Sequence, residues 1–395
     1  MPDNTRRRAV DAALHTLRAM HADAEHEAWL ILLRTPALGG AGLRALLARD
    51  GSAVGLLTRL RRAPPEGLPA VARAWLRAPD AARIDADLHW LRQPEQRLLT
   101  CLDADFPPQL DACPGAPAAL FVRGDAARLL LPQIAIVGAR AATPEGLAHA
   151  RRFAAQLGAA GLTISSGLAA GIDGAAHTGA LHSAGGTVAV VGTGCDVVYP
   201  ARHRELAARI VAHGAVVSAF PPATTARAAH FPMRNRVLAG LALGVLVVEA
   251  GQRSGALITA HAGTTLGREV FAVPGSIANP LARGCHRLIR EGAQLVESAE
   301  EIIDALRPSI AAQGLCLSAR LGEDADVSAA SATTAAPDGD AACWLDALGH
   351  APVALETLAL RLDQTVAAAA AALGLLELDG RVARAAGGLW QRLPD

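Results

Sequence analysis

Three small-residue stretches gather the residues best suited to meet an anion. Val137-Gly138-Ala139-Arg140 places a cation two positions after a glycine. The run Ser165-Ser166-Gly167-Leu168-Ala169-Ala170-Gly171-Ile172-Asp173 joins two hydroxyls to glycines, and Gly192-Thr193-Gly194-Cys195-Asp196 repeats the theme. Glycine lets main chain approach a ligand closely. A glycine-rich loop that opens a helix presents unpaired N–H groups and a positive dipole end, which suits phosphate. Ser165, Ser166, Gly167 and Gly171 are therefore candidate phosphate contacts. Each loop alone is equally explained by a tight strand-to-helix turn; three together favour a site. Gly192-Thr193-Gly194 lacks the full dinucleotide spacing and no G-K-[ST] follows any of these loops, which argues against a P-loop ATPase.

The segment FPMRNR (231–236) adds charge. Arg234 and Arg236 flank Asn235 near the start of an expected helix, where the dipole disfavours cations, so an anionic ligand or a paired carboxylate is implied. Phe231 is suited either to stacking on a base or to filling the core. Arg253, in Glu249-Ala250-Gly251-Gln252-Arg253, is a further candidate. Asp173 and His177, four apart on an expected helix, read either as an acid/base pair or as a helix cap beside a partly buried histidine.

Charge supports an anionic partner only locally. The 395 residues carry 37 basic and 37 acidic side chains, every base an arginine. Between Gly138 and Arg290, however, fourteen arginines face six carboxylates. A neutral total thus hides a basic middle, the footprint of a phosphate-backbone binder. Aromatic residues make up 3% of the chain, too few for an extended stacking platform.

These residues need a scaffold. Residues 132–306 alternate short apolar runs with helical patterns. Strands are expected at 133–137, 162–165, 187–191, 215–218, 244–248 and 269–273. Helices are expected at 145–160, 174–184, 202–213, 234–242, 255–267 and 283–292. Such alternation means a parallel sheet covered on both faces, with ligands at the carboxyl ends of its strands. Residues 1–22 read as a charged leader and 24–92 as short helices. Within these, Leu33–Leu47 forms a glycine-rich hairpin whose amides either meet a phosphate or simply turn the chain. Residues 93–131, rich in proline, read as an ordered connector wrapped on the sheet domain. Residues 307–340 have linker composition. Residues 341–395 suggest three helices near 342–348, 353–361 and 364–373, then two strands around Asp379-Gly380, a winged-helix pattern.

The segments VGARAATPEG (137–146), SGLAAGIDGAAHTGAL (166–181), TVAVVGTGCDVVYP (187–200), FPMRNRVLAGL (231–241), VVEAGQRSGALITA (247–260), REVFAVPG (268–275) and RGCHRLIREGA (283–293) closely resemble the DNA-processing protein A (DprA/Smf) family. The likeness covers about residues 105–305 in order. It implies an α/β fold: an extended Rossmann-like sheet domain, here 93–306, between an N-terminal helical domain (sterile-alpha-motif or helix-hairpin-helix-like) and a C-terminal winged helix. It further implies single-stranded DNA in a basic strand-end groove, homodimerisation, and cooperation with RecA recombinase against single-strand-binding protein during natural transformation. By motif, Arg140, Ser166, Gly167, Arg234 and Arg236 fall at the groove, with Gly171, Asp173 and His177 on the adjoining loop and helix. The chain departs from the family at Ala219, where glutamate is usual, at His286, where asparagine is usual, and at Ala170, which is basic in some members.

Two other functions fit the sequence less well. A nucleotide phosphoribohydrolase of similar fold needs a glutamate after a glycine loop, and the comparable stretch 249–258 has no acid after its glycines. A winged-helix transcription regulator would need a basic tail, whereas Arg361, Arg381, Arg384 and Arg392 are offset by five acids. No catalytic residue and no cofactor are expected. Six dispersed cysteines lack metal spacing, so free thiols in the cytoplasm and no metal site are expected. The apolar run 237–248 divides into helix and strand, so no membrane span is expected.

Overall fold

A computed structural model describes residues 23–321, 341–348, 353–362, 364, 369, 372–373, 376, 381–385 and 389–392. The expected leader 1–22 and the linker residues 322–340 lie outside the described residues. The chain divides into two compact units, Met1–Asp324 and Ala325–Asp395.

The first unit begins with helices α1 (23–33), α2 (Gly40–Asp50), α3 (Ala53–Arg62), α4 (Ala70–Arg77) and α5 (Ala81–Leu91). Their apolar faces meet in one cluster that includes Trp29, Leu43, Leu56, Leu76 and Trp90. Asp80 and Ser52 accept from amides of their own helices and so start α5 and α3. The turn between α1 and α2 is the expected glycine hairpin. A Cβ on Gly40 would come within 3.1 Å of Pro117, so this turn packs on the 116–118 segment.

Strand β1 (Gln96–Thr100), helix α6 (Pro108–Asp111) and strand β2 (Ala119–Gly124) follow. The expected connector at 93–131 therefore contributes two strands to the sheet. Its five prolines, Pro94 before β1 and four more between β1 and β2, obscure the apolar runs of the two strands. Then come β3 (Gln133–Val137), α7 (Pro144–Ala159), β4 (Thr163–Ser166), α8 (Ile172–Ala180), β5 (Thr187–Val190), α9 (Arg204–His213) and β6 (Ala215–Ser218). The second half adds α10 (His230–Leu241), β7 (Gly244–Val247), α11 (Gly255–Thr265), β8 (Glu269–Ala272), α12 (Arg283–Arg290), β9 (Gln294–Leu295) and α13 (Ala299–Leu321).

The nine strands form one sheet in the order β1-β2-β6-β5-β4-β3-β7-β8-β9. β3 to β9 run parallel, while β2 joins β6 antiparallel and β1 joins β2 antiparallel. β3 to β7 are buried along their whole length, as a sheet covered on both faces requires. Val137, Val188 and Val245 pack on one side with Leu238 and Leu257. Ile134, Ile136 and Ile164 pack on the other with Phe153 and Ala176.

The linker expectation fails over 307–321, where α13 runs on through Pro308. Gln313 is buried there and its Nε2 donates to the Leu130 carbonyl at 2.9 Å. This tertiary anchoring offsets the hydrogen bond that proline removes.

The second unit contains α14 (Ala341–Leu348), α15 (Leu355–Arg361) and the antiparallel pair β10 (Val382–Ala385) and β11 (Leu389–Arg392). Both strands follow Asp379-Gly380, so the expected turn is misplaced and the connection spans 386–388. Leu376 is helical and buried with Leu373 and Ala372. Among the described residues no helix is long and apolar enough to cross a membrane, and no cluster of His, Cys, Asp or Glu is arranged to hold a metal ion.

Candidate nucleic-acid interface

The sheet is laid down outward from β3 through β4, β5 and β6, and then resumes at β7 on the other side of β3. This reversal opens a crevice at the carboxyl ends of β3 and β7. A cleft of about 660 Å³ lies there. Its walls are Gly138 to Ala141 after β3, Phe231, Arg234 and Asn235 of α10, and Gly251, Arg253 and Ser254 at the start of α11. A second cavity of about 480 Å³ opens towards β4 and β5, lined by Gly167, Ala169, Ala170, Tyr199 and Arg202. Arg140, Phe231 and Arg234 border both cavities, so the two form one groove with a shared ridge.

The ridge is a ring between cations. The Arg140 guanidinium lies 5.5 Å from the centre of the Phe231 ring and that of Arg234 lies 5.8 Å away. Arg140 is exposed, whereas Arg234 keeps 6% of its surface. Arg234 Nη1 donates to the Gly167 carbonyl and, at 2.8 Å, to the Val190 carbonyl, tying the β4 loop to the end of β5. A Cβ on Gly167 would sit 2.0 Å from that nitrogen, which is why only glycine fits. Burial pulls the Arg234 guanidinium below its ordinary range and Asp173 pulls it back up. Burial raises the Asp173 carboxyl, against the Arg234 charge and two amides.

Those amides alter the expected phosphate cradle. Asp173 accepts from the N–H of Gly167 at 3.1 Å and of Ala169 at 3.3 Å. The Ile172 N–H donates to the Ala139 carbonyl and the Gly174 N–H to the Ala169 carbonyl. Two amides of the loop and two of the first turn of α8 are thus committed to the packing of this segment. Gly171, at φ 79°, permits this packing, since a Cβ there would lie 2.2 Å from the Ala139 oxygen. These four amides are not free to hold a phosphate, and the groove presents the cationic side chains of Arg140, Arg202 and Arg253.

The structure brings Arg140, Gly167, Phe231, Arg234, Asn235 and Arg253 together. Asp173 also lines the cleft, but Ser165, Ser166, Gly171, Arg236 and His177 are not part of the groove lining. Ser165 and Ser166 are fully buried, and Ser166 Oγ donates to the Ile136 carbonyl at 2.6 Å. Arg236 lies two residues beyond Arg234, about 200° further round the helix. It donates to the Pro114 carbonyl at 3.1 Å and lines a separate apolar recess that also contains Gly39 and Gly40 of the hairpin. His177 is completely buried, with Nδ1 2.7 Å from Thr187 Oγ1. That hydroxyl gives its proton to the Ile164 carbonyl, so Nδ1 carries the histidine proton. Burial, then the charges of His203 and Arg234, lower the His177 pKa to about 3. It is a neutral core residue, and Asp173 organises a loop; neither has the geometry of an acid/base pair.

Tyr199, Arg202 and Ser254 were missed. Tyr199 is the chain's only tyrosine, and that rarity was the available signal. Glu249 is also accounted for: its carboxylate accepts from the Thr143 hydroxyl at 2.6 Å and the Thr143 amide at 2.9 Å, fixing the start of α7.

Residues 97–307 match the family described as DNA recombination-mediator protein A, and residues 328–388 match the DprA winged helix domain. The chain belongs to the DNA recombination-mediator protein A family. Protein Smf of Escherichia coli K12 is 47% identical over 225 residues, covering 57% of this chain and 60% of that protein. The chain therefore spans about three fifths of that relative's length. DNA processing protein DprA of Streptococcus pneumoniae is 44% identical over 202 residues, covering 51% of this chain and 71% of the relative. The X-ray structure of the Streptococcus pneumoniae protein superposes with a TM-score of 0.63 at 36% identity, covering 70% of this chain and 97% of that one. Family membership fixes the extended Rossmann-like sheet and the winged helix as shared architecture.

Proposed function

We propose that this protein binds single-stranded DNA along the strand-end groove and acts in DNA processing. In this reading it protects incoming strands and loads RecA recombinase in competition with single-strand-binding protein, working as a cytoplasmic homodimer. One observation carries the groove assignment. Arg140, Arg202 and Arg253 converge on the groove, and among the described residues none of them enters an ion pair. Cations left without carboxylates around an aromatic ridge suit a strand that alternates phosphates and planar bases.

The groove is read as a binding site. Asp173 is committed to two amides and His177 to Thr187, so neither matches the demands of glycosidic hydrolysis. The winged helix is a separate compact unit, and strand binding is assigned to the first unit.

Fluorescence anisotropy with labelled single strands and duplexes across a salt series tests this. The expected result is tight, sequence-tolerant, salt-sensitive binding that favours the single strand. Duplex preference would move the winged helix to the centre. Absence of binding at low salt would sink the reading, and release of free base from nucleoside monophosphates would replace it with hydrolysis. RecA filament growth on single strands coated with single-strand-binding protein tests the loading step; no acceleration by the protein would remove that step alone.

A further inference from the structure

We infer that the cavity at the ends of β4 and β5 is a nucleobase subsite, in which Tyr199 stacks on an unpaired base and so rejects duplex. This rests on the single-strand reading above.

The two halves of the groove differ in chemistry. The cleft over β3 and β7 has Arg140 and Arg253 on its walls and the first turn of α11 at one side. The second cavity shares Arg140, Phe231 and Arg234 with the first and adds Arg202; what sets it apart is Tyr199 with Pro200 and small residues such as Gly167 and Ala170. Small residues here leave room for a flat ring. Tyr199 is 49% exposed, a large value for an aromatic side chain that borders a cavity. Phe231 has two guanidinium groups within 6 Å of its ring centre, whereas the Tyr199 ring is tilted 51° from Phe231 at 5.9 Å and keeps much of its surface open. A strand that holds a phosphate at the Arg140 ridge presents its neighbouring base on the Tyr199 side. Inside a duplex a base is already stacked on both faces and paired at its edge, so it offers Tyr199 nothing. The aromatic ring therefore contributes strand-state selectivity, while the arginines contribute charge attraction common to both forms.

The test compares three ligands of equal length: oligothymidylate, an abasic oligomer with the same phosphates, and duplex. Tyr199→Ala and Tyr199→Leu are measured beside Tyr199→Phe, with thermal midpoints checked for all three. Loss of one base–aromatic stack is expected to weaken oligothymidylate binding about tenfold for Ala and Leu. Abasic and duplex binding should not change, the salt slope should stay that of the wild type, and Tyr199→Phe should retain affinity. Equal losses on the base-bearing and abasic strands, or no loss on either, would overturn the subsite while leaving the groove reading intact. Failure of the wild type to bind any single strand removes both.

Discussion

Four arginines of the N-terminal helices and three of the strand-end groove are the same residue placed in opposite company. Arg34, Arg44, Arg59 and Arg92 each meet a carboxylate, on Asp87, Asp111, Asp50 and Asp23. Arg34 is the most enclosed; it also donates to the Pro222 carbonyl at 2.9 Å, fastening the helices to the loop after β6. At the groove, Arg140, Arg202 and Arg253 have no such partner among the described residues. The one buried acid beside them, Asp173, is turned inward to amides. In a chain whose every cation is arginine, the residue type says little. The informative feature is where arginines without carboxylates gather in one cleft, because unpaired like charges there repel one another and focus an attractive field on anions.

The sharpest way to break this contrast is at Arg234, the groove arginine that behaves like an interior one. Its guanidinium satisfies two carbonyls and lies beside the Asp173 charge. Arg234→Ala should therefore unfold the first unit more easily, by about 3 kcal/mol, because buried acceptors and a buried carboxylate lose their cation. Urea denaturation followed by tryptophan fluorescence measures it. A variant as stable as the parent but defective only in DNA binding would show that Arg234 belongs with the exposed set after all.

For the exposed set, charge is the expected currency. Arg140→Ala combined with Arg253→Ala should lower the slope of log K against log salt by about 1.4, at roughly 0.7 per single-strand phosphate contact. Its unfolding midpoint should stay near the parent's, since neither side chain holds an ion pair. An unchanged slope in the double variant would detach these unpaired arginines from DNA binding.

The interior beneath the groove should also show a pH signature. His177 is neutral in the fold, with a pKa lowered from 6.5 to about 3. Unfolding restores the ordinary value, so below pH 6.5 the unfolded chain binds a proton that the native state refuses. Stability contributed by this group is present above pH 6.5 and is lost as pH falls towards 3, at up to about 1.4 kcal/mol per unit. Asp173, raised by the same burial, works in the opposite sense. The difference between parent and His177→Gln, measured as unfolding free energy from pH 7 to 5, isolates the histidine. A gap between the two that does not change over that range would mean the imidazole charges inside the fold.

Much of the scaffold was legible because covered parallel strands write themselves as short apolar runs. β3 and β6 begin and end where the pattern placed them, and the other four core strands shift by one residue at most at either end. β1 and β2 were missed because prolines at 107, 108, 114 and 117 read as connector. α13 was cut short because Pro308 and small residues resemble a linker, and its docking shows only in the fold, through Ile310 on the core and Gln313 reaching Leu130. At the site, the loop glycines are legible, but the packing they allow is not. Sequence reveals that Gly167 and Gly171 permit close approach, yet not that the approaching atoms are Arg234 and the Ala139 carbonyl. Likewise a hydroxyl at a strand end gives no sign of which neighbour takes it, and Ser166 spends its proton on Ile136.

Arg236 supplies the smallest expected effect and the cleanest control. It was grouped with Arg234 because the two flank Asn235, but a helix turns about 100° per residue and carries Arg236 away from the groove. Its guanidinium rests on the Pro114 carbonyl, and its side chain is exposed. Arg236→Ala removes the same formal charge as Arg140→Ala from a site only a few residues away in sequence from the ridge. If unpaired charge acts wherever it stands on the domain, both variants should flatten the salt dependence alike. If it acts through the groove, Arg236→Ala should leave the slope within error of the parent, and stability should change by less than about 1 kcal/mol, as befits an exposed side chain with one carbonyl contact. A slope that fell as far as for Arg140→Ala would mean that strands cross α10 on its outer side as well, and that the cleft is only one part of the path.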